Sequence, residues 1–138
     1  MLAAFDNADT ENSEPGKTLR PVLRAFNSAS DDIEASAVIS SDGLNMAWVL
    51  SNEVDPDRFG AMCASLLALA KRAAEEISRG KLKQVLIEGE SGLMLLIYAG
   101  NDAVLAVATK PTVNLGKIFI DSRKAAANIS TLLNKMDY

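Results

Sequence analysis

Histidine is absent from the 138 residues, and cysteine occurs once, at Cys63. The first absence removes Ser-His-Asp chemistry, Cys-His nucleophiles and His-ligated metal sites. The second rules out an intramolecular disulfide and suits a reducing compartment. Aromatic side chains make up only 5% of the chain, so its core must be aliphatic and alanine-rich. No run approaches the ~18 apolar residues of a membrane span. The opening Met1-Leu2-Ala3-Ala4-Phe5 lacks the basic start and long apolar stretch of a secretory signal. Neither a Gly-x-x-x-x-Gly-Lys-Ser/Thr loop nor a Gly-x-Gly-x-x-Gly run is present, and no internal repeat is visible. The expectation is a protein without metal or cofactor.

What is present is a globular composition, with 49% apolar and 23% charged residues. A chain of this length buries about 68% of its unfolded surface, enough for one core. The net charge of −4 has one origin. Residues 1–16 carry Asp6, Asp9, Glu11 and Glu14 and no base, which leaves 14 acidic against 14 basic residues in the remainder. Residues 1–16 therefore read as a flexible acidic leader ending at Pro15-Gly16, and 17–138 as the domain. Such a charge balance argues against nucleic acid, whose phosphates need clustered Lys and Arg. The nearest basic cluster is Lys71, Arg72, Arg79, Lys81 and Lys83. It reads as a solvated helix end, with cations near the negative pole of the dipole.

Periodicity supplies the elements. Leu19, Val22, Leu23 and Phe26 fall on one helical face, with Thr18 as cap and Pro21 in the first turn. Residues 34–40 and 44–50 read as two strands joined at Asp42-Gly43, a type I′ hairpin signal that needs two positive φ angles. In the second strand Leu44, Met46, Trp48 and Leu50 share a face. Asp55-Pro56 opens a long helix that runs to about Arg79, with Gly80 as its stop. Leu82–Glu88, Leu93–Tyr98 and Ala103–Thr109 read as three more strands, antiparallel because their turns are short. The last two are apolar on both faces and so are covered on both sides. Asn114 caps a final helix whose stripe runs from Leu115 through Ile118, Ser122, Ala126 and Ile129 to Met136. The order is αββαβββα. This is an α/β (α+β) fold, with one five-stranded antiparallel sheet, the long helix on one face and two helices on the other.

The long helix is apolar on too many sides. At 100° per residue, Phe59, Met62, Cys63, Leu66, Ala70, Ala73 and Ile77 form the sheet side. The outer side carries Ala61, Ala64, Ser65 and Ala68, flanked by Leu67 and Leu69. Small residues let two helix backbones approach closely. This ridge reads as a symmetric dimer contact, although alanine also serves simple helix propensity. Elsewhere the chemistry is sparse. Asp31-Asp32 and Glu75-Glu76 read as solvated charge, as do Asp121, Arg123 and Lys124. Gly89-Glu90-Ser91-Gly92 reads as a hairpin turn rather than a phosphate loop, because it opens no helix. Cys63 reads as a small buried hydrophobe. Trp48 reads as core, with an exposed interface anchor as the other reading.

The stretch Ser36-Ala37-Val38-Ile39-Ser40-Ser41-Asp42-Gly43-Leu44 resembles the opening hairpin of roadblock-type dynein light chain domains. The later stretches agree in order: Arg79-Gly80-Lys81-Leu82-Lys83-Gln84-Val85-Leu86-Ile87-Glu88, then Gly92-Leu93, then Asn114-Leu115-Gly116-Lys117 and Arg123-Lys124-Ala125-Ala126. The resemblance covers about residues 18–136. It implies an αββαβββα domain that dimerises through its long helix and the edge of its third strand. It also implies a non-enzymatic, cytoplasmic regulator of a small Ras-like GTPase, most similar to the bacterial single-domain members. On that resemblance the partner surface falls on the exposed part of residues 57–76, at Arg58, Ser65, Arg72 and Glu76. The alternative is a nucleotide-independent scaffold subunit. A third class, a small-molecule sensor, finds no polar cluster within the apolar faces.

Overall fold

A computed structural model describes residues 13–136. The elements follow as α1 (Glu14–Ser28), β1 (Ile33–Ser40), β2 (Asn45–Val49), α2 (Pro56–Glu76), β3 (Gln84–Gly89), β4 (Gly92–Tyr98), β5 (Ala103–Thr109) and α3 (Leu115–Lys135). The strands form one antiparallel sheet in the order β2-β1-β5-β4-β3. Helices α1 and α3 pack on one face and α2 on the other. The αββαβββα order and the division of the helices are those expected.

The centre of the sheet is β5, and its sequence explains why. Leu105 and Val107 point toward α1 and α3, Val104 and Ala106 toward α2, and none of the four is more than 2% exposed. A strand buried on both faces must be apolar throughout. Between β3 and β4 the turn is only Glu90-Ser91. Gly92 follows at φ 147, where a Cβ would sit 1.9 Å from the Thr109 carbonyl oxygen of the neighbouring strand. Only glycine fits there. Asn114 caps α3 as expected, its side chain accepting from the Lys117 N–H at 3.1 Å.

Four local expectations are corrected. First, α1 begins at Glu14, with Ser13 as cap, its Oγ accepting from the Gly16 N–H at 3.1 Å. Thr18 is not the cap and Pro21 lies inside the helix. Pro15 and Gly16 are buried, so residues 14–16 belong to the domain and not to the leader; residues 1–12 of the leader lie outside the described residues. A serine cap followed by a proline near the start is itself a helix signal; apolar periodicity alone starts the helix a turn late. Second, the β1–β2 hairpin is not type I′. Gly43 has φ 95, but Asp42 is not among the positive-φ residues. The Ser40 carbonyl accepts from the Gly43 N–H at 3.0 Å, and Ser40 N–H donates to Leu44 at 2.8 Å. Third, the strand alternation of β2 is broken. Val38 pairs with Ala47 but Ile39 with Asn45, so Met46 is the extra residue of a β-bulge. Met46 joins the core under α1 and α3, whereas Trp48 packs toward α2. Fourth, α2 ends at Glu76, and the left-handed residue is Ser78 (φ 58) ahead of Gly80. Ser78 N–H reaches the Glu75 carbonyl at 3.0 Å and Arg79 N–H the Ala74 carbonyl at 2.8 Å. That pair of bonds is a Schellman termination, and it needs one left-handed residue that a serine can supply at some strain.

Candidate functional site

The surface of interest is the outer side of α2 and the sheet edge beside it. Helix α2 is fixed at its start from two directions. Asp55 caps it, accepting from the Asp57 N–H at 3.0 Å and the Arg58 N–H at 3.5 Å. Fully buried Asn45 on β2 donates from Nδ2 to the Pro56 carbonyl at 3.0 Å. One turn later Gly60 lies against the β1–β2 hairpin. A Cβ there would stand 2.6 Å from the Gly43 carbonyl oxygen and 3.3 Å from Asn45. The helix thus approaches the hairpin at backbone distance, and that approach sets its rotation.

The rotation corrects the expected faces. The sheet side is Pro56, Gly60, Cys63 and Leu67, all buried, with half-buried Ala70 and Ala74 continuing the row. Leu67, expected on the outside, is 7% exposed. Met62 and Ile77, expected against the sheet, are 61% and 62% exposed, and Ala73 is exposed as well. Hydrophobicity weighting overlooks a glycine, and Gly60 is the residue that faces the sheet. Cys63 is buried as expected, and burial pushes its thiol up to about 11, which keeps it protonated and unreactive at neutral pH.

Of the expected dimer residues, Ala61, Ser65 and Ala68 are exposed, while Ala64 is half-buried and would lie 3.4 Å from a Cβ at Gly43. Arg58, Ser65, Arg72 and Glu76 are all exposed and succeed one another along the outer ridge of α2. Leu69, expected beside that ridge, is 67% exposed, and Met62, expected against the sheet, flanks the ridge at 61% exposed. The signal that could have found Met62 was Gly60 at a helical position otherwise reserved for a side chain.

Beside α2 the sheet is also incompletely covered. Ile87, Met94, Ala108 and Ala35 pair in one row across β3, β4, β5 and β1. Met94 packs with the α2-side core, which places the whole row on that face. None of the four is buried, and Ile87 is 39% exposed. The row ends at β3, which pairs with β4 alone and is exposed over its last four residues. An edge strand of this kind offers unpaired N–H and C=O groups to another chain. Half-buried Trp48 packs on the same face.

The remaining candidates fall elsewhere. Glu75 and Glu76 are exposed on α2, and Asp31 is exposed in the turn before β1. Asp121 pairs with Lys117 at 2.7 Å, one turn apart on α3. The Arg123 guanidinium lies 5.5 Å from the Phe119 ring centre and 3.5 Å from Gln84 Oε1. Among the described residues no helix is long and apolar enough to cross a membrane.

A family model described as the Roadblock/LC7 domain matches residues 23–109. Uncharacterized protein MJ1340 of Methanocaldococcus jannaschii is 40% identical over 103 residues, spanning 75% of this chain and 90% of that protein. That relative is archaeal, whereas the sequence resemblance pointed to bacterial members. Among solved structures, Myxococcus xanthus MglB superposes with a TM-score of 0.80 at 14% identity, over 89% of this chain and 92% of that one. A Roadblock/LC7 domain from Streptomyces avermitilis gives a TM-score of 0.77 at 20% identity, over 83% and 97%. At these identities the superpositions speak to the fold.

Proposed function

The chain belongs to the Roadblock/LC7 domain family, and from that membership we propose that it is a non-catalytic homodimeric regulator which binds a small Ras-like GTPase and modulates its nucleotide cycle. The observation that carries this reading is the presence of two open surfaces on one side of the sheet: the outer side of α2 and the free edge of β3. A two-fold pair can use both at once, helix on helix and edge on edge, because an isologous contact presents the same patch from each copy. Ala61, Ser65 and Ala68 then form the small-residue contact, with Met62 and Leu69 beside it. Arg58, Arg72 and Glu76, at the two ends of the helix with Ser65 between them, form the surface offered to the GTPase. The chain itself remains cytoplasmic and supplies no catalytic group.

Regulation in this sense requires differential affinity, since a partner that binds both nucleotide states equally shifts neither. The deciding experiment uses the purified chain as bait for a GTPase from its own source, loaded with a non-hydrolysable GTP analogue or with GDP. Capture in one nucleotide state, followed by a changed hydrolysis rate, supports the regulator. Equal capture in both states makes the chain a scaffold subunit. Light scattering tests the pairing separately: Met62→Glu and Ala68→Glu are each expected to give monomers of unchanged fold. A dimer that survived both substitutions would overturn the α2 contact.

A further inference from the structure

The basic residues at the end of α2 do more than line a solvated helix end. Lys71 on α2, Lys81 and Lys83 before β3, Tyr98 at the end of β4 and Asn101 in the β4–β5 turn surround one cavity of about 560 Å³. Leu82 contributes an apolar wall. No Asp or Glu lines it. Among the described residues none of the three lysines has a carboxylate within ion-pair distance, although Lys117 and Asp121 show that such pairs form elsewhere on the surface. The closest acidic residues in sequence, Glu75 and Asp102, stand outside the wall.

Three uncompensated ammonium groups around one concavity repel each other unless an anion lies between them. We propose that this cavity binds a phosphorylated small molecule, one that carries at least a diphosphate and an apolar or aromatic body. Lysine ammonium groups act as point charges on phosphate. The half-buried ring of Tyr98 and the side chain of Leu82 supply the apolar surface that holds the rest of the ligand. The volume falls within the ~300–1,000 Å³ of small-molecule sites. The site lies beside the pairing proposed above: Lys71 follows Ala68 by less than one turn of α2, and Lys81 and Lys83 lead into the β3 edge, whereas Met62 lies about half a turn out of phase with Lys71. Leu82 and Tyr98 also pack against the α2-side core, so the apolar wall of the cavity is the rim of that core.

Isothermal titration of the full chain with pyrophosphate, ADP and GTP tests this directly. One molecule per chain is expected, with the nucleotides tighter than pyrophosphate and all three weakening as salt rises. The double variant Lys81→Ala/Lys83→Ala changes two exposed side chains, so its melting temperature without ligand is expected to match the wild type. Its affinity for every probe is expected to fall by at least about tenfold. Tyr98→Leu is expected to remove the advantage of nucleotides over pyrophosphate and leave pyrophosphate binding in place. No binding of any probe at millimolar concentration would overturn the proposal, as would unchanged affinity in the double variant. Binding confined to vesicles containing phosphoinositide, with no soluble phosphate compound taken up, would equally overturn it in favour of a membrane surface.

Discussion

On one face of the sheet two helices, α1 and α3, cover the strands; on the other, α2 lies alone. Five strands about 4.8 Å apart make a sheet roughly 20 Å wide, and a helix with its side chains is about 10 Å across. Two helices therefore close a face and one cannot. Leu19, Leu23, Leu105 and Ile129 under the pair are all fully buried. On the α2 side, Met94, Ala108 and Ala35 remain half-covered, and the helix itself leaves Met62 and Leu69 in solvent. The closed face supplies stability, and the open face is where a second chain can lie. An exposed apolar area of this kind, continuous with a free strand edge, has the makings of an interface.

The strongest way to break this comparison is to damage both faces at once. Gly92→Ala forces a Cβ to within 1.9 Å of the Thr109 backbone oxygen, which pushes β4 away from β5. The expected loss exceeds about 3 kcal/mol and is read as failure of the cooperative urea transition. Gly60→Ala is the one-sided counterpart. Its Cβ would meet the Gly43 carbonyl oxygen at 2.6 Å, so α2 must lift from the hairpin. The gain in helix propensity, about 1 kcal/mol, offsets only part of that, and a net loss of about 2 kcal/mol is expected. Trp48 is the only tryptophan and faces α2. Its fluorescence should shift in Gly60→Ala while the packing under α1 and α3 is kept. Equal damage to both faces would contradict the division.

Truncation sharpens the same contrast. Ile129→Ala, at a fully buried position on the inner side of α3, is expected to cost about 2–5 kcal/mol. Leu69→Ala removes a side chain of similar size that is 67% exposed. Measured by denaturation at concentrations where the chain is monomeric, it is expected to change stability by less than about 0.5 kcal/mol. Comparable losses from the two would mean that the α2 face is closed within one chain.

The two sides differ in how far they could be read from the sequence. The closed face was legible because its residues follow simple periods: Leu19, Leu23 and Phe26 on α1, and Ile118, Ser122, Ala126 and Ile129 on α3, fall at helical spacing. The strand order of β3, β4 and β5 followed from short turns. The open face was legible only in outline. An alanine-rich outer ridge on α2 was visible, but which leucine points inward depends on Gly60, and a residue without a side chain carries no weight in a hydrophobicity pattern. The bulge at Met46 was invisible for a related reason. Alternation assigns faces by counting residues, and one unpaired residue reverses every assignment after it. The convergence of Lys71 with Lys81 and Lys83 was half-seen as a charge cluster, because the sequence cannot show that the β4–β5 connection at Gly100 and Asn101 closes the third wall.

The α2 face also contains a proton-linked group. Cys63 is 2% exposed, and burial raises its thiol from 9.0 to about 11. The unfolded chain therefore loses this proton first as pH rises. The stability that depends on the protonated thiol is complete below pH 9 and is lost as pH climbs through 11, by about 2–3 kcal/mol. Wild type and Cys63→Ala compared by urea denaturation from pH 8 to 11 isolate this group from the lysines and tyrosines that titrate alongside. The wild type should lose stability more steeply. Parallel curves would mean that water reaches the thiol and the α2 side is open to its base.

A gain in stability, and a small one, tests where α2 stops. Ser78 holds φ 58, a left-handed conformation that a Cβ disfavours by about 1–2 kcal/mol. Its N–H and that of Arg79 close the helix on Glu75 and Ala74. Ser78→Gly keeps both backbone bonds and removes the Cβ, against a larger loss of chain entropy on folding. The expected net gain is about 0.5–1 kcal/mol, a rise of a few degrees in melting temperature. Because Ser78 is exposed and lies between Lys71 and Lys81 of the cavity wall, the same substitution should leave the closed face and the pairing of α2 untouched. A fall in melting temperature would mean that the serine side chain holds the 77–83 segment in a way the backbone bonds do not account for. It would also make the Lys81–Lys83 wall of the cavity a part of the α2 termination itself.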